Sequence, residues 1–400
     1  MPSKWKIQSL HEAGVSLIDC DHRTPPAAES GYPYVAIPQL KQGRLDLWDV
    51  RRITREHFLE WTRKANPQTN DVILSRRCNP GETSVVPDGL ECALGQNLVL
   101  LRADGSKLFP PFLRWLVRGS DWWEQIGKFL NVGAVFDSLK CADIPNFELP
   151  VPPFTEQKAI AGVLGALDDK IELNRQANET LEALAQTIFK NWFVDAAATK
   201  LPKGWRAGTL GEVTENPRRG IQPEEIKSST PYIGLEHMPR RCIALSDWGH
   251  ADALESNKFE FEHGEILFGK LRPYFHKVGV APVDGVCSTD ILVIRPKATE
   301  WFGFVLGHVS SVELVNHTNA ASTGTKMPRA NWNDIARFEV ALPPDSRSAE
   351  FTDLIRPMID RIIANIHESR TLAELRDALL PKLLSGELSV PGIHTKEATK

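Results

Sequence analysis

Nowhere in these 400 residues does an apolar run reach the length of about 18 that a membrane-spanning helix requires. The opening segment, from Met1 to Leu10, lacks the apolar stretch of a secretory signal. The expectation is a cytoplasmic chain with no membrane contact. Cysteine is sparse: Cys20, Cys78, Cys92, Cys141, Cys242 and Cys287 are scattered with no CxxC pair, which predicts reduced thiols. The eleven histidines include no HExxH, and no cluster has metal-ligand spacing, so no metal site is expected. There is no excess of positive charge either; the formal net charge is −4. That excludes a protein that coats nucleic acid by bulk charge, and any DNA contact must rest on local basic patches. The hydrophobic share of 42% suffices for real cores and argues against disorder.

Catalytic signatures are missing as well. Gly264-Glu265-Ile266-Leu267-Phe268-Gly269-Lys270-Leu271 matches GxxxxGK, but Leu271 stands where a Ser or Thr must hold magnesium. Its middle reads as a strand rather than a backbone cradle for phosphates. No GxGxxG follows a strand, no GxSxG elbow occurs, and no Asn- or Asp-Pro-Pro-aromatic tetrad of an amino-methyltransferase is present. Pro87-Asp88 is followed by Glu91-Cys92-Ala93, without the lysine of a nuclease-type Asp…Glu-x-Lys set. The chain is expected to be non-catalytic.

What the sequence does hold is a copy of itself. Gly133-Ala134-Val135 through Pro152-Pro153 matches Gly324-Thr325-Lys326 through Pro343-Pro344 at an offset of 191 residues. The same offset pairs Asp143-Ile144 with Asp334-Ile335, Phe147-Glu148 with Phe338-Glu339, Asn174 with Asn365, and Leu184 with Leu375. So long a period excludes a solenoid, whose repeats run to roughly 20–50 residues. A doubled unit predicts a partner with two similar halves.

Five segments follow: a mixed region 1–153, a long helix 154–198, a second mixed region 199–345, a second long helix 346–390 and a polar tail 391–400. The mixed regions carry short β-favouring runs such as Val72-Ile73-Leu74, Leu98-Val99-Leu100-Leu101, Glu265-Ile266-Leu267-Phe268 and Ile291-Leu292-Val293-Ile294. Each ends in one expected helix, Pro110 to Ile126 and Trp301 to His317. Trp5, Leu10 and Pro33-Tyr34-Val35 echo Trp205, Leu210 and Pro231-Tyr232-Ile233.

Alternating steps of four and three give a coiled-coil seam in each long helix. The first runs through Ile160, Leu164, Leu167, Ile171, Asn174, Leu181 and Ile188. The second runs through Phe351, Ile355, Met358, Ile362, Asn365, Leu372 and Leu379. Asn174 and Asn365 interrupt both seams at one position, and a buried Asn fixes register at a cost in stability. The helices are therefore expected to pack on each other. An antiparallel pair would place the mixed regions at opposite ends under a rough two-fold, on a rod of roughly 60 Å. That length matches DNA segments one to two turns apart, each about 34 Å. Thr155 is the expected N-cap, Pro357 should kink the second helix or mark its start, and Phe189 and Phe193 should lie on an outer face open to a partner.

Basic residues gather beside turns and aromatics: Lys41 and Arg44 around Gly43, Arg76-Arg77, Lys270-Leu271-Arg272-Pro273-Tyr274 with Lys277, and Lys326 and Arg329 around Met327-Pro328. These are the candidate DNA contacts, with Arg suited to guanine edges and Lys to phosphates.

Pro152-Pro153-Phe154-Thr155-Glu156-Gln157-Lys158-Ala159-Ile160-Ala161, with Leu164 and Leu167-Asp168-Asp169-Lys170-Ile171, resembles the start of the conserved helix in the specificity (S) subunit of type I restriction–modification systems. Leu201-Pro202-Lys203-Gly204-Trp205…Leu210-Gly211, Gly264 through Pro273, and Leu379 through Leu388 are similar to further parts of that family. Two departures stand out. Ser346-Arg347-Ser348 replaces Thr-Glu-Gln in the second copy, and the first mixed region lacks the Pro-x-Gly-Trp opening. The resemblance implies an α+β chain: two mixed α/β target-recognition domains joined by two long helices in an antiparallel coiled coil, with a pseudo-two-fold internal repeat. It implies binding of a bipartite double-stranded DNA target and docking of two modification (methyltransferase) subunits and of restriction (motor-nuclease) subunits. S-adenosylmethionine, ATP and Mg would belong to those partners, with no cofactor in this chain. A non-catalytic coiled-coil adaptor tethering two protein-binding modules fits the same architecture, and a salt-dependent mobility shift with duplex DNA separates the two.

Overall fold

A computed structural model describes residues 5–41, 43–133, 136–252, 254–322 and 327–390. The chain divides into two compact units, Met1–Asp168 with Glu374–Lys400, and Asp169–Ala373. Each unit therefore holds one mixed region together with a part of each long helix. The tail 391–400, Lys326, and Ala134, Val135, Gly324 and Thr325 of the repeat lie outside the described residues. No helix among the described residues is long and apolar enough to cross a membrane.

The first unit opens with Lys6–Ser9 paired antiparallel to Glu148–Val151. A four-stranded sheet follows in the order Val15–Asp19, Leu98–Ala103, Val72–Ser75, Thr83–Val85. Side chains alternate across a strand, and here both faces are covered. Val72, Leu74, Val99 and Leu101 face a core containing Phe112, Trp115, Trp122 and Phe147. Ile73, Leu98 and Leu100 face a second core with Val35, Leu40 and Leu94. Burial on both sides is why these strands read as unbroken apolar runs rather than as alternating ones.

The second unit repeats this plan. Arg206–Thr209 pairs antiparallel with Glu339–Leu342. Its four-stranded sheet runs Thr214–Glu215, Ile291–Pro296, Ile266–Gly269, Val278–Val280. Ile266, Phe268, Leu292 and Ile294 face one core, and Leu267, Ile291 and Val293 the other. In each unit a short parallel pair sits apart from this sheet, Tyr34 opposite Ala93 in the first and Tyr232 opposite Val286 in the second. The duplication thus extends through the mixed regions, where sequence showed only scattered anchors.

Both expected single helices are broken. Pro110–Leu116 and Ser120–Phe129 are separated at Gly119, where a Cβ would lie 2.7 Å from Leu384 Cδ1. Phe302–Val309 and Val312–Ala321 are separated at Ser310-Ser311, and the Ser311 hydroxyl caps the second by accepting from the Leu314 amide at 3.2 Å.

The long helices span Phe154–Phe189 and Asp345–Leu384. Thr155 is not the N-cap, because the helix already begins at Phe154 and the Pro153 carbonyl accepts from the Gln157 amide at 3.0 Å. Pro357 does not mark the start of the second helix, which begins twelve residues earlier at Asp345. Gln157 is buried and anchors the first helix to its own unit. Its Oε1 accepts from the Phe109 amide at 2.7 Å, and its Nε2 donates to the Lys107 and Pro152 carbonyls, both at 2.9 Å. Ser348, at the matching position of the second copy, donates to the Glu300 carbonyl at 2.9 Å. Thr352 donates to the same carbonyl at 2.7 Å and accepts from the Gly303 amide at 3.0 Å. The departure at Ser346-Arg347-Ser348 therefore keeps the anchoring and shares it between two hydroxyls.

The buried stripe of each helix is broader than a strict seam. Ile160, Leu164 and Asn174 are buried, while Leu167, Ile171, Leu181 and Ile188 are half-buried, and Asp168, Glu182 and Phe189 beside them go under instead. In the second helix Phe351, Ile355, Ile362 and Asn365 are buried; Met358, Leu372 and Leu379 are half-buried next to buried Ile359, Arg376 and Leu380. The cause is that each helical part also packs on the sheet and short helices of its own unit. Phe189 and Phe193 are accordingly not on an outer face. They are 5% and 3% exposed, packed against Phe304 and Phe351.

Within the second unit the helices meet through amides. Asn174 Nδ2 donates to Glu368 Oε2 at 2.9 Å and to Ser369 Oγ at 3.2 Å. Asn365 Nδ2 donates to Asn178 Oδ1 at 2.8 Å. As one partner's number rises the other's falls, so the contact is antiparallel. The two repeat-matched asparagines do not bond each other; each reaches a polar residue one step along the opposite helix.

Candidate nucleic-acid interface

In the second unit the strand Ile266–Gly269 runs straight into the basic turn. Arg272 and His276 take the left-handed conformation, at φ 53° and 49°, on either side of a single 3-10 turn, Pro273–Phe275. Such φ values are unusual for residues with a Cβ, and five hydrogen bonds hold the turn in place. The Arg272 amide donates to Pro328 O at 2.8 Å, the Ala330 amide to Lys270 O at 2.9 Å, the Gly269 amide to Lys277 O at 2.8 Å and the Arg241 amide to His276 O at 2.7 Å. His276 Nε2 lies 2.9 Å from the Ser310 carbonyl. Burial pushes the His276 pKa down, so the ring is neutral and serves as a strut.

This frame decides which side chains are free. Tyr274 is 49% exposed, and the Arg240 guanidinium lies 4.1 Å over the Phe275 ring. Lys270 and Arg272 are half-buried beside them. Lys277 is tied down: its Nζ donates to the Leu235 carbonyl at 2.5 Å, and burial lowers its pKa. Arg329 is exposed but pairs with Asp290 at 3.3 Å.

The first unit builds the same turn. The strand Val72–Ser75 leads to Arg76-Arg77, and Cys78 is left-handed at φ 63°. The Leu139 amide donates to Arg76 O at 2.9 Å, as Ala330 does to Lys270. Arg77 bridges Ser138 in the backbone pairing that links Leu271 to Arg329 in the other unit. Arg76 Nη1 donates to Leu139 O at 3.2 Å, and Arg77 is exposed over Phe136 at 5.6 Å. Lys41 is exposed on the hairpin Leu40–Lys41 with Arg44–Leu45.

Arg44 is tied into the interior of the first unit. Its Nη2 lies 3.0 Å from Asp168 Oδ1, and Asp168 is 3% exposed. Arg376 Nη1 reaches the same oxygen at 2.6 Å and Arg114 the other one. Burial alone would raise the Asp168 pKa, but the three guanidiniums outweigh it and hold the carboxyl below the usual range. A buried charge needs such partners, so Arg44 joins its hairpin to the long helix. Sequence reasoning missed Asp168, which follows directly on the seam residue Leu167. It also missed the left-handed backbone at Cys78, where no glycine gives a signal.

Residues 19–183 match the type I restriction modification DNA specificity domain. The chain is 28% identical to the type I restriction enzyme MjaIX specificity subunit of Methanocaldococcus jannaschii, over 85% of this chain and 82% of that protein. It is 23% identical to the HindI specificity subunit of Haemophilus influenzae, over 72% of this chain and 80% of the relative. The crystal structure of a type I restriction–modification S subunit from M. genitalium shares the fold with a TM-score of 0.58 at 16% identity, over 95% of this chain and 96% of that one.

Proposed function

We propose that the chain is a specificity subunit of the type I restriction–modification kind, itself non-catalytic, and that it reads a bipartite double-stranded DNA target, one half with each unit. The observation that carries this reading is the doubled basic turn, Arg76-Arg77-Cys78 and Lys270-Leu271-Arg272, held by the same backbone bonds in both copies. Two copies of one reader suit a target with two halves. The long helices form the antiparallel coiled coil of a pseudo-two-fold chain and fix the gap between the halves; the antiparallel amide contacts support this. S-adenosylmethionine, ATP and Mg act on the modification and restriction subunits. The chain should be co-expressed with its methyltransferase partner and the methylated adenines of the host mapped. One split motif with a fixed gap is the expected result; no motif, or a contiguous one, would refute the reading.

The modification subunits dock on the outer helical faces, at positions other than Phe189 and Phe193. Leu184 and Leu375 are repeat-matched and are 46% and 47% exposed. Two equivalent leucines fit two copies of one partner. Leu184→Asp is expected to leave one methyltransferase copy bound and the double variant with Leu375→Asp none, as read by native mass spectrometry. Retention of both copies by the double variant would exclude these faces.

A further inference from the structure

We infer that Phe136 and Met327 touch the base pairs of the two half-targets, so that each is a specificity residue of its own unit. This rests on the DNA-reading assignment above and adds to it the apolar part of the reader. Exposed apolar side chains are common singly and mean little alone. These two differ from that background in three respects. They are 45% and 50% exposed and stand at the same position of the internal repeat, 191 residues apart. Each lies two residues before the backbone bridge that ties its segment to the basic turn, Ser138 to Arg77 and Arg329 to Leu271. Just beyond each bridge, Leu139 and Ala330 are buried at 1% and 2%, which fixes where the exposed residue is carried.

The chemistry of the surroundings names the occupant. Arg77 lies 5.6 Å over the Phe136 ring, and Met327 is carried beside Lys270, Arg272 and Arg329. An apolar side chain within a cluster of cations suits a ligand with an anionic backbone and flat apolar faces, which describes duplex DNA. Phe meets thymine methyl groups, and Phe and Met both enter between base steps. The backbone frame is the same in both units while the side chain changes from an aromatic ring to a thioether. A constant frame with a variable tip is what two readers of different half-sequences need.

The test uses the full chain assembled with its methyltransferase, a duplex bearing the mapped target, and a scrambled duplex of equal length. Phe136→Ala and Met327→Ala are each expected to weaken target binding roughly 10-fold or more, the usual cost of one lost base contact. Binding to the scrambled duplex should be unchanged. The methylated motif should relax only in the half read by the altered unit. If both variants keep the wild-type preference for target over scrambled DNA, or lose both duplexes equally, the inference is overturned and the assignment as a DNA reader stands. If the wild-type complex itself does not discriminate, the assignment fails and takes the inference with it.

Discussion

Replacing Asp168 with Asn is expected to lower the thermal midpoint of the first unit by roughly 10 °C, since breaking a buried ionic cluster costs about 3–5 kcal/mol. Three guanidiniums, from Arg44, Arg114 and Arg376, converge on this 3%-exposed carboxylate. Without its charge they repel one another in a site with little water. The contribution has a definite pH dependence. The folded-state pKa lies below the ordinary aspartate value of 3.8, so the unfolded chain takes up the proton first as pH falls. The stabilisation is complete above the unfolded value and is lost on acidification toward the folded one. Calorimetric melts of both proteins from neutral pH down should therefore converge in acid. A midpoint shift of only a degree or two at neutral pH would show that the cluster is not what fastens hairpin to helix.

Glu182 should behave in the opposite sense. It is 7% exposed, and both carboxyl oxygens accept from the Ile243 amide at 3.1 Å. Burial pushes its pKa up from 4.5 to about 7, against the lowering effect of that amide. Here the folded protein holds the proton more tightly than the unfolded chain does. Stability of the second unit is therefore expected to fall as pH rises from 4.5 to about 7 and then to level off. The total is roughly 3 kcal/mol, an order-of-magnitude figure. Glu182→Gln keeps the acceptor and removes the charge, so it should be more stable than wild type at pH 8 and nearly equal near pH 4.5. Denaturant titrations at the two pH values decide it; an equal or lower stability of the variant at the higher pH would contradict the account.

The repeat was legible because an offset of 191 holds without a gap through the block that ends each mixed region and enters each helix. The central strands were legible as apolar runs because the sheets are covered on both faces. The seam was legible only in outline. Heptad spacing registers one neighbour, and these helices have two, the other helix and their own unit, so the buried stripe widened to Asp168, Glu182 and Phe189. The ion pair of Arg44 was hidden for a related reason. A cation beside a turn looks free in a sequence when its carboxylate lies 124 residues away. The basic turns were found by composition, but their equivalence was not, since Cys78 and Arg272 share a backbone conformation and no chemistry.

The compact units part at Asp168–Asp169 and again at Ala373–Glu374, within the long helices rather than at their ends. A genetic crossover at residue 153 would strand Gln157 from the carbonyls of Lys107 and Pro152 that it binds. Recombination that trades one unit for another therefore conserves the most contacts when its breakpoints fall in mid-helix. Hybrids made that way inherit each unit with the helical segments that it packs against.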